Sequence, residues 1–386
     1  MDIYTQATQP ITVMNPNNAV SPPLFQTSVY AFNDVEVVDE LLAGIRTGYS
    51  YSRGGNPNTD ALGDLIARLE GAEKGTITGS GTAALLTAIL TLLPSPGRIL
   101  VAREIYGGTV GVARNLLGPM GYTMEWVDTH DPEDIGRHFS QGPALLVLET
   151  LSNPLGRIAP LDQIIAEAHD RGISVIVDNT FATPFHANPQ SWGADLVVHS
   201  LTKFIGGHSD LILGAVVGKR ATVDRAQHIV DTSGMTPDPF AAWLAFRGAR
   251  TLAVRMQQSS GNAMALATNL ESLASIKHTY YPGLASHPDH QDARRLLERG
   301  FGSIVSVALT GGYDSVRDLI RRLKIVRFVP SLGDVSTTLS HPVVASHREL
   351  STEEQVRIGI DASVIRISVG IESSQDIIDD FIQALT

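Results

Sequence analysis

Four short runs of consecutive apolar, largely β-branched residues punctuate the first half of the chain, at positions 97–102, 144–149, 173–177 and 196–199. Runs of this length bounded by polar residues read as strands buried on both faces, the pattern of a parallel sheet. Between them, apolar residues recur at helical spacing, and the segment 160–171 reads as a connecting helix. An earlier helical pattern, Leu62, Leu65, Ile66 and Leu69, stops at Gly71. The alternation predicts an α/β architecture, a doubly wound and mostly parallel sheet between helices. Residues 1–55, rich in Asn, Pro, Thr and Gly with little periodicity, read as an extended arm. A long helical segment over 239–276 leads to strands at 303–309 and 364–369, which read as a smaller α+β domain. The expected division is an arm over 1–55, an α/β domain over 56–253 and an α+β domain over 254–386.

Composition narrows the function classes. Twenty-nine basic against 40 acidic residues give a net charge of −11, which argues against nucleic acid or an anionic membrane as partner. The absence of cysteine excludes disulfides, thiolate metal sites and a cysteine nucleophile. The most apolar stretch, 83–93, is too short to span a bilayer. The first residues lack the basic start and apolar run of a signal peptide, so a cytoplasmic enzyme is the expectation. His287, His290, His341 and His347 are scattered among prolines and glycines and read as loop histidines, with no metal site expected.

The strands at 173–177 and 196–199 end in Asp178-Asn179-Thr180 and Ser200-Leu201-Thr202-Lys203. In open α/β sheets, ligands bind beyond the carboxyl ends of the strands, so these ends deliver an acid and an amine to one place. An Asp that holds a pyridinium nitrogen and a Lys that forms a Schiff base are the minimal equipment for pyridoxal phosphate chemistry. Of the five lysines, at 74, 203, 219, 277 and 324, Lys203 alone follows a buried-strand pattern. Each residue also has a plainer reading. Asp178-Asn179-Thr180 makes a good helix cap or turn, and Lys203 can be a surface lysine after a strand.

The turn Gly79-Ser80-Gly81-Thr82-Ala83-Ala84 opens a helix, where backbone N–H groups and the helix dipole suit a phosphate. It equally matches the dinucleotide fingerprint, with Glu104 twenty residues past Ala84 as a ribose-binding acid. Against a dehydrogenase, the strand before the glycines is poor, and nothing in that reading explains Asp178 and Lys203. Ser200 and Thr202 offer hydroxyls to a phosphate, and Tyr106, before two glycines, can stack on an aromatic ring. Arg366 sits inside an otherwise apolar strand and needs a partner, either a substrate carboxylate or a structural acid.

In order along the chain, Pro22 to Ser28, Tyr51-Ser52-Arg53, Ser80-Gly81-Thr82, Tyr106-Gly107-Gly108, Glu149 to Asn153, Val177 to Pro184, His199 to Asp210, Tyr281 to Pro288 and Arg366 to Glu372 resemble one family. It is the cysteine/methionine-metabolism family of pyridoxal phosphate enzymes, and the resemblance covers nearly the whole chain. It implies the transferase fold type I, built on a seven-stranded sheet, and pyridoxal 5'-phosphate as cofactor. The dehydrogenase reading then falls away. By resemblance, Lys203 carries the cofactor and shuttles protons, Asp178 keeps the pyridine nitrogen protonated, and Tyr106 stacks on the ring and serves as acid/base. Gly81 and Thr82, with Ser80, Ser200 and Thr202, hold the phosphate; Asn153 and Thr180 complete the cofactor contacts. Arg366, Ser331 and Asn153 grip the substrate α-carboxylate. Tyr51 and Arg53 would reach the phosphate of a neighbouring subunit, which implies a homo-oligomer, a dimer or a dimer of dimers.

Two departures bear on specificity, and a third, milder one on a helix cap. Methionine γ-lyases characteristically read Tyr-Gly-Cys at the stacking tyrosine, where this chain has Gly108. Members acting on cystathionine commonly carry a Glu after Ser-Leu-Gly, where this chain has Ser336, with Asp334 as the nearest alternative acid. Asn58 replaces the usual Thr of an Asn-Pro-Thr motif. The expected activity is a γ-lyase acting on a methionine- or homoserine-type amino acid, releasing a 2-oxo acid, ammonia and the leaving group. Canavanine, with its hydroxyguanidine leaving group, is a further substrate in view. A γ-replacement enzyme, either an O-acetyl- or O-succinylhomoserine sulfhydrylase or a cystathionine γ-synthase, shares the first steps. A non-catalytic cofactor-binding relative is the reading from another class.

Overall fold

The computed structural model describes every residue except 12–14, 16, 17 and 349. The expected apolar runs form the middle of a seven-stranded sheet: β1 (Lys74–Thr78), β2 (Arg98–Ala102), β3 (Thr123–Val127), β4 (Leu145–Glu149), β5 (Ser174–Asp178), β6 (Leu196–Ser200) and β7 (Gly214–Gly218). Their order is β1-β7-β6-β5-β4-β2-β3, with β7 antiparallel to both neighbours and the other pairings parallel. Alternation sends Val147, Ile176 and Val198 to one face and Leu148, Val177 and Val197 to the other. Both sets are buried against helices, so apolar residues are required at consecutive positions.

A second sheet follows, from β8 (Ile276–Tyr280), β9 (Ile304–Leu309), β10 (Arg327–Phe328), β11 (Thr338–Ser340) and β12 (Val364–Ser368), in the order β10-β11-β12-β9-β8. It packs with the helices Leu252–Glu271 and Ser374–Leu385 around its own core, which includes Leu266, Val307, Ile367 and Phe381. The doubly wound α/β architecture with a smaller second sheet is therefore as expected.

Three local features differ from the sequence reading. The poor strand before the glycines is β1, held by five register pairs to β7. The segment expected as one long helix is two, Pro239–Ala249 and Leu252–Glu271, interrupted at Arg250 and Thr251. Within the expected extended segment lie two short helices, Ile3–Thr8 and Val35–Leu42, each opened by an aspartate cap, Asp2 and Asp34. The four histidines read as loop residues do lie in or beside loops, yet His287, His341 and His347 are at most 3% exposed and His290 is half-buried. Among the described residues, no helix is long and apolar enough to cross a membrane.

Candidate active site

Beyond the carboxyl ends of β2, β4, β5 and β6 lies a cavity of about 410 Å³, walled on its far side by Ser331 and Arg366 from the second sheet's half of the chain. The sheet therefore presents its strand ends to the position expected for a ligand in this architecture. Lining it are Ser80, Gly81, Thr82, Tyr106, Asn153, Asp178, Thr180, Ser200, Thr202, Lys203, Ser331 and Arg366. Tyr51 and Arg53 stand apart from it. Tyr51 is 51% exposed and bridges to Val29, with the Arg53 guanidinium 5.5 Å from its ring centre.

Local structure explains how each group is aimed. Ser80 caps the helix Gly81–Leu92 by accepting from the Ala83 N–H. A Cβ at Gly81 would lie 2.7 Å from Ser200 Cβ, so only glycine lets this helix start approach β6 so closely. The approach places the free first-turn N–H groups beside Ser200, whose own N–H donates to Thr180 Oγ1 at 2.8 Å. The Thr202 hydroxyl is engaged with the Leu213 backbone, donating to its carbonyl and accepting from its N–H. The turn after Lys203 is held by the buried Arg255, which donates to the carbonyls of Phe204 and Ile205.

Lys203 Nζ donates to Ser331 Oγ at 3.0 Å. Burial, then the charge of Arg366, lowers its pKa from the ordinary lysine value and favours the neutral amine. Asp178 accepts from the Thr180 N–H at 2.9 Å, and burial raises its pKa. Arg366 is 3% exposed; it donates through Nη1 to Asn153 Oδ1 at 2.9 Å and through Nη2 to the Ser331 carbonyl at 3.1 Å. Among the described residues, its Nε has no partner and no carboxylate pairs with it. Burial drops its pKa to about 10. Unlike Arg255, whose guanidinium is taken up by three backbone carbonyls, Arg366 lines the cavity with Nε unused, which favours a substrate carboxylate over a structural salt bridge.

Glu149 is a cavity residue to which the sequence reading gave no role. It lies opposite Asp178 in the β4–β5 register and accepts from the Tyr106 N–H at 2.8 Å. The Asn153 N–H adds a second bond; burial and then the Asp178 charge nevertheless push its pKa well above the ordinary glutamate value. A motif read as Glu-Thr-Leu-Ser-Asn carried no signal that its first residue would end beside a second acid. His347 was also passed over: it is fully buried, its pKa falling to about 4 by burial and then by the Arg366 charge, so it stands neutral beside that guanidinium.

The three departures take physical form. The Tyr106 ring lies over Gly108, where a Cβ would be 2.3 Å from Tyr106 Cε1, so a cysteine there would displace the tyrosine. Asp334 and Ser336 do not line the cavity; Asp334 instead bonds the Ser209 hydroxyl and the Ser336 N–H. Asn58 bonds the backbone of the preceding segment, accepting from the Phe25 N–H and donating to the Pro23 carbonyl.

An anion cradle at a helix start, a carboxylate, a buried amine and an aromatic ring around one cavity fit a phosphorylated pyridine aldehyde. The family model for "Cys/Met metabolism PLP-dependent enzyme" matches residues 6–386. The L-methionine gamma-lyase of Fusobacterium nucleatum subsp. polymorphum is 34% identical over 377 residues, 97% of this chain and 95% of that one. The O-succinylhomoserine sulfhydrylase of Pseudomonas aeruginosa is 36% identical over 362 residues, 94% of this chain and 90% of that one. A crystal structure of cystathionine gamma synthase from Xanthomonas oryzae pv. oryzae, in complex with aminoacrylate and cysteine, has a TM-score of 0.94 at 34% identity, covering 100% of this chain and 98% of that one.

Proposed function

The chain belongs to the Cys/Met metabolism family of pyridoxal phosphate-dependent enzymes, and from that premise we propose that it is a γ-lyase. Its substrate is an L-amino acid of the methionine or homoserine type, and its products are a 2-oxo acid, ammonia and the γ-leaving group. The observation that carries this reading is the ionisable complement of the cavity: Tyr106, Glu149, Asp178, Lys203 and Arg366. Four of them stand where cofactor, α-carboxylate or proton transfer needs them, and the fifth, Glu149, is taken up by the Tyr106 N–H. Among the described residues, none is left to hold a second charged amino acid, which argues for elimination over the joining of two amino acids.

When bound, the cofactor withdraws electrons from the substrate's α- and β-carbons and so makes their protons removable. Asp178 stands to hold the pyridine nitrogen; the N–H groups of Gly81 and Thr82 and the Ser200 hydroxyl stand to hold the phosphate. Arg366, steadied by Asn153, grips the α-carboxylate in a two-toothed fork and turns the α-proton toward Lys203. The lowered pKa of Lys203 leaves its amine free to take protons from the α- and β-carbons. The Tyr106 hydroxyl delivers a proton to the departing γ-substituent. Tyr51 and Arg53, exposed and outside their own cavity, complete the site of a neighbouring copy, so the working unit is at least a dimer.

The test is release of 2-oxo acid and ammonia, without added thiol, from methionine, homocysteine, cystathionine, O-acetyl- and O-succinylhomoserine, and canavanine. The expected result is rapid release from one of them. Silence throughout, broken only by adding sulfide or cysteine, would make the enzyme a γ-replacement catalyst instead.

A further inference from the structure

Glu104, which the sequence alone presented as a candidate ribose ligand, belongs to a charged cluster outside the cavity. Arg157 donates to Asp289 through Nε at 2.5 Å and Nη2 at 3.1 Å, and its Nη1 lies 3.5 Å from Glu104 Oε1. The Ile158 N–H donates to the same Asp289 carboxylate at 3.1 Å. Ser152 Oγ donates to Glu104 Oε2 at 3.1 Å and accepts from the Arg157 N–H at 3.1 Å. His130 Nε2 lies 3.4 Å from Asp289 Oδ2. Asp289 is 8% exposed, so its charge is largely removed from solvent and depends on these partners. They hold it, with its pKa far below the ordinary aspartate value.

What the cluster joins gives it meaning. Glu104 lies two residues before Tyr106, and Ser152 immediately precedes Asn153, the residue that orients Arg366. Asp289 comes from the far half of the chain, just before the helix His290–Leu296. Asp289 therefore holds the Asn153 loop directly, through Arg157 and the Ile158 N–H, and the Tyr106 loop through the contact of Arg157 with Glu104. His287 adds a further tie, with Nε2 3.4 Å from the Leu155 carbonyl and Nδ1 accepting from the Asp289 N–H at 3.2 Å. A displacement of about 1 Å at a positioning group is enough to lower catalytic efficiency strongly.

We propose that Arg157 and Asp289 are positioning residues, a clamp that sets Asn153, and through it the Arg366 fork, in register for the substrate carboxylate, with Glu104 extending the clamp to the Tyr106 loop. This rests on the carboxylate-binding assignment made above. The clamp therefore acts on substrate capture more than on the proton transfers.

The experiment is a double-mutant cycle of Arg157→Met and Asp289→Asn in the cofactor-loaded enzyme. It reads KM and kcat for whichever panel amino acid reacts, and hydrogen exchange over 150–158 and 103–109. Each single change is expected to raise KM about fivefold or more with kcat held within about twofold, and the double variant to be no worse than the worse single. Exchange over 150–158 rises in all three. The milder Glu104→Gln keeps an acceptor for Ser152 and raises exchange over 103–109 alone. Additive effects, a loss confined to kcat, or unchanged exchange in both segments overturns the clamp. Should no amino acid react, the lyase reading fails separately, and the exchange measurement alone decides the clamp.

Discussion

The two faces of the sheet at the ends of β5 and β6 carry polar side chains of similar kind and opposite fate. On the face away from the cavity, His199 Nε2 lies 2.8 Å from Glu70 Oε1, and Asn179 Nδ2 donates to Glu70 at 2.6 Å and to the Ala187 carbonyl at 2.9 Å. Asn179 Oδ1 accepts from Thr150 Oγ1 at 2.8 Å. Apart from His199 Nδ1, this cluster is closed upon itself. One residue along each strand, Asp178 and Ser200 face the cavity, where, among the described residues, Lys203 Nζ bonds only the Ser331 hydroxyl and Arg366 Nε bonds nothing. Buried polar groups are normally paired, so the closed set is architecture and the open set awaits a ligand. Alternation along two strands is enough to separate the two roles.

Substitutions can break this contrast, and the largest effect falls on the open face. Lys203→Ala should cut keto-acid release by on the order of 10³-fold or more, with the melting temperature of the cofactor-free protein nearly unchanged. Arg366→Lys keeps the charge but loses the fork. KM should rise by roughly 10- to 100-fold, measured by steady-state kinetics across substrate concentration.

The closed face should respond in stability instead. Glu70→Ala leaves buried His199 Nε2 without its partner and Asn179 Nδ2 with one of its two acceptors, at a cost of about 3 kcal/mol read by denaturant unfolding, while the folded fraction keeps its KM. The smallest effect sharpens the contrast through pH. Because the folded-state pKa of Glu149 is raised, its contribution is fully present below about pH 4.5, the ordinary glutamate value, and is lost as pH rises through the folded value. Glu149→Gln, permanently neutral, should therefore flatten the decline in cofactor-free stability above that pH. An unchanged slope would show that Glu149 is ionised alongside Asp178.

How much of this was legible in the sequence follows from what each feature depends on. The central strands β2, β4, β5 and β6 declare themselves because burial on both faces demands unbroken apolar runs. β3 is an edge strand, its first residues only partly covered, and β7 is a short run bounded by glycines; neither announces itself. Asp178, Lys203 and Arg366 stood out because a charge at the end of, or within, an apolar strand conflicts with its surroundings. Glu149 sits at a strand end too, yet its character comes from Asp178 on the neighbouring strand, which no local pattern records. The Arg157–Asp289 pair spans 132 positions and is a property of the folded chain alone.

The central claim, that the open face is open because Lys203 carries the cofactor there, is tested most directly by borohydride reduction of the purified enzyme followed by peptide mass mapping. The account requires one phosphopyridoxyl group, fixed to the peptide that contains Lys203. Labelling of Lys74, Lys219, Lys277 or Lys324 instead, or no stable label on a protein that releases keto acid, would contradict it.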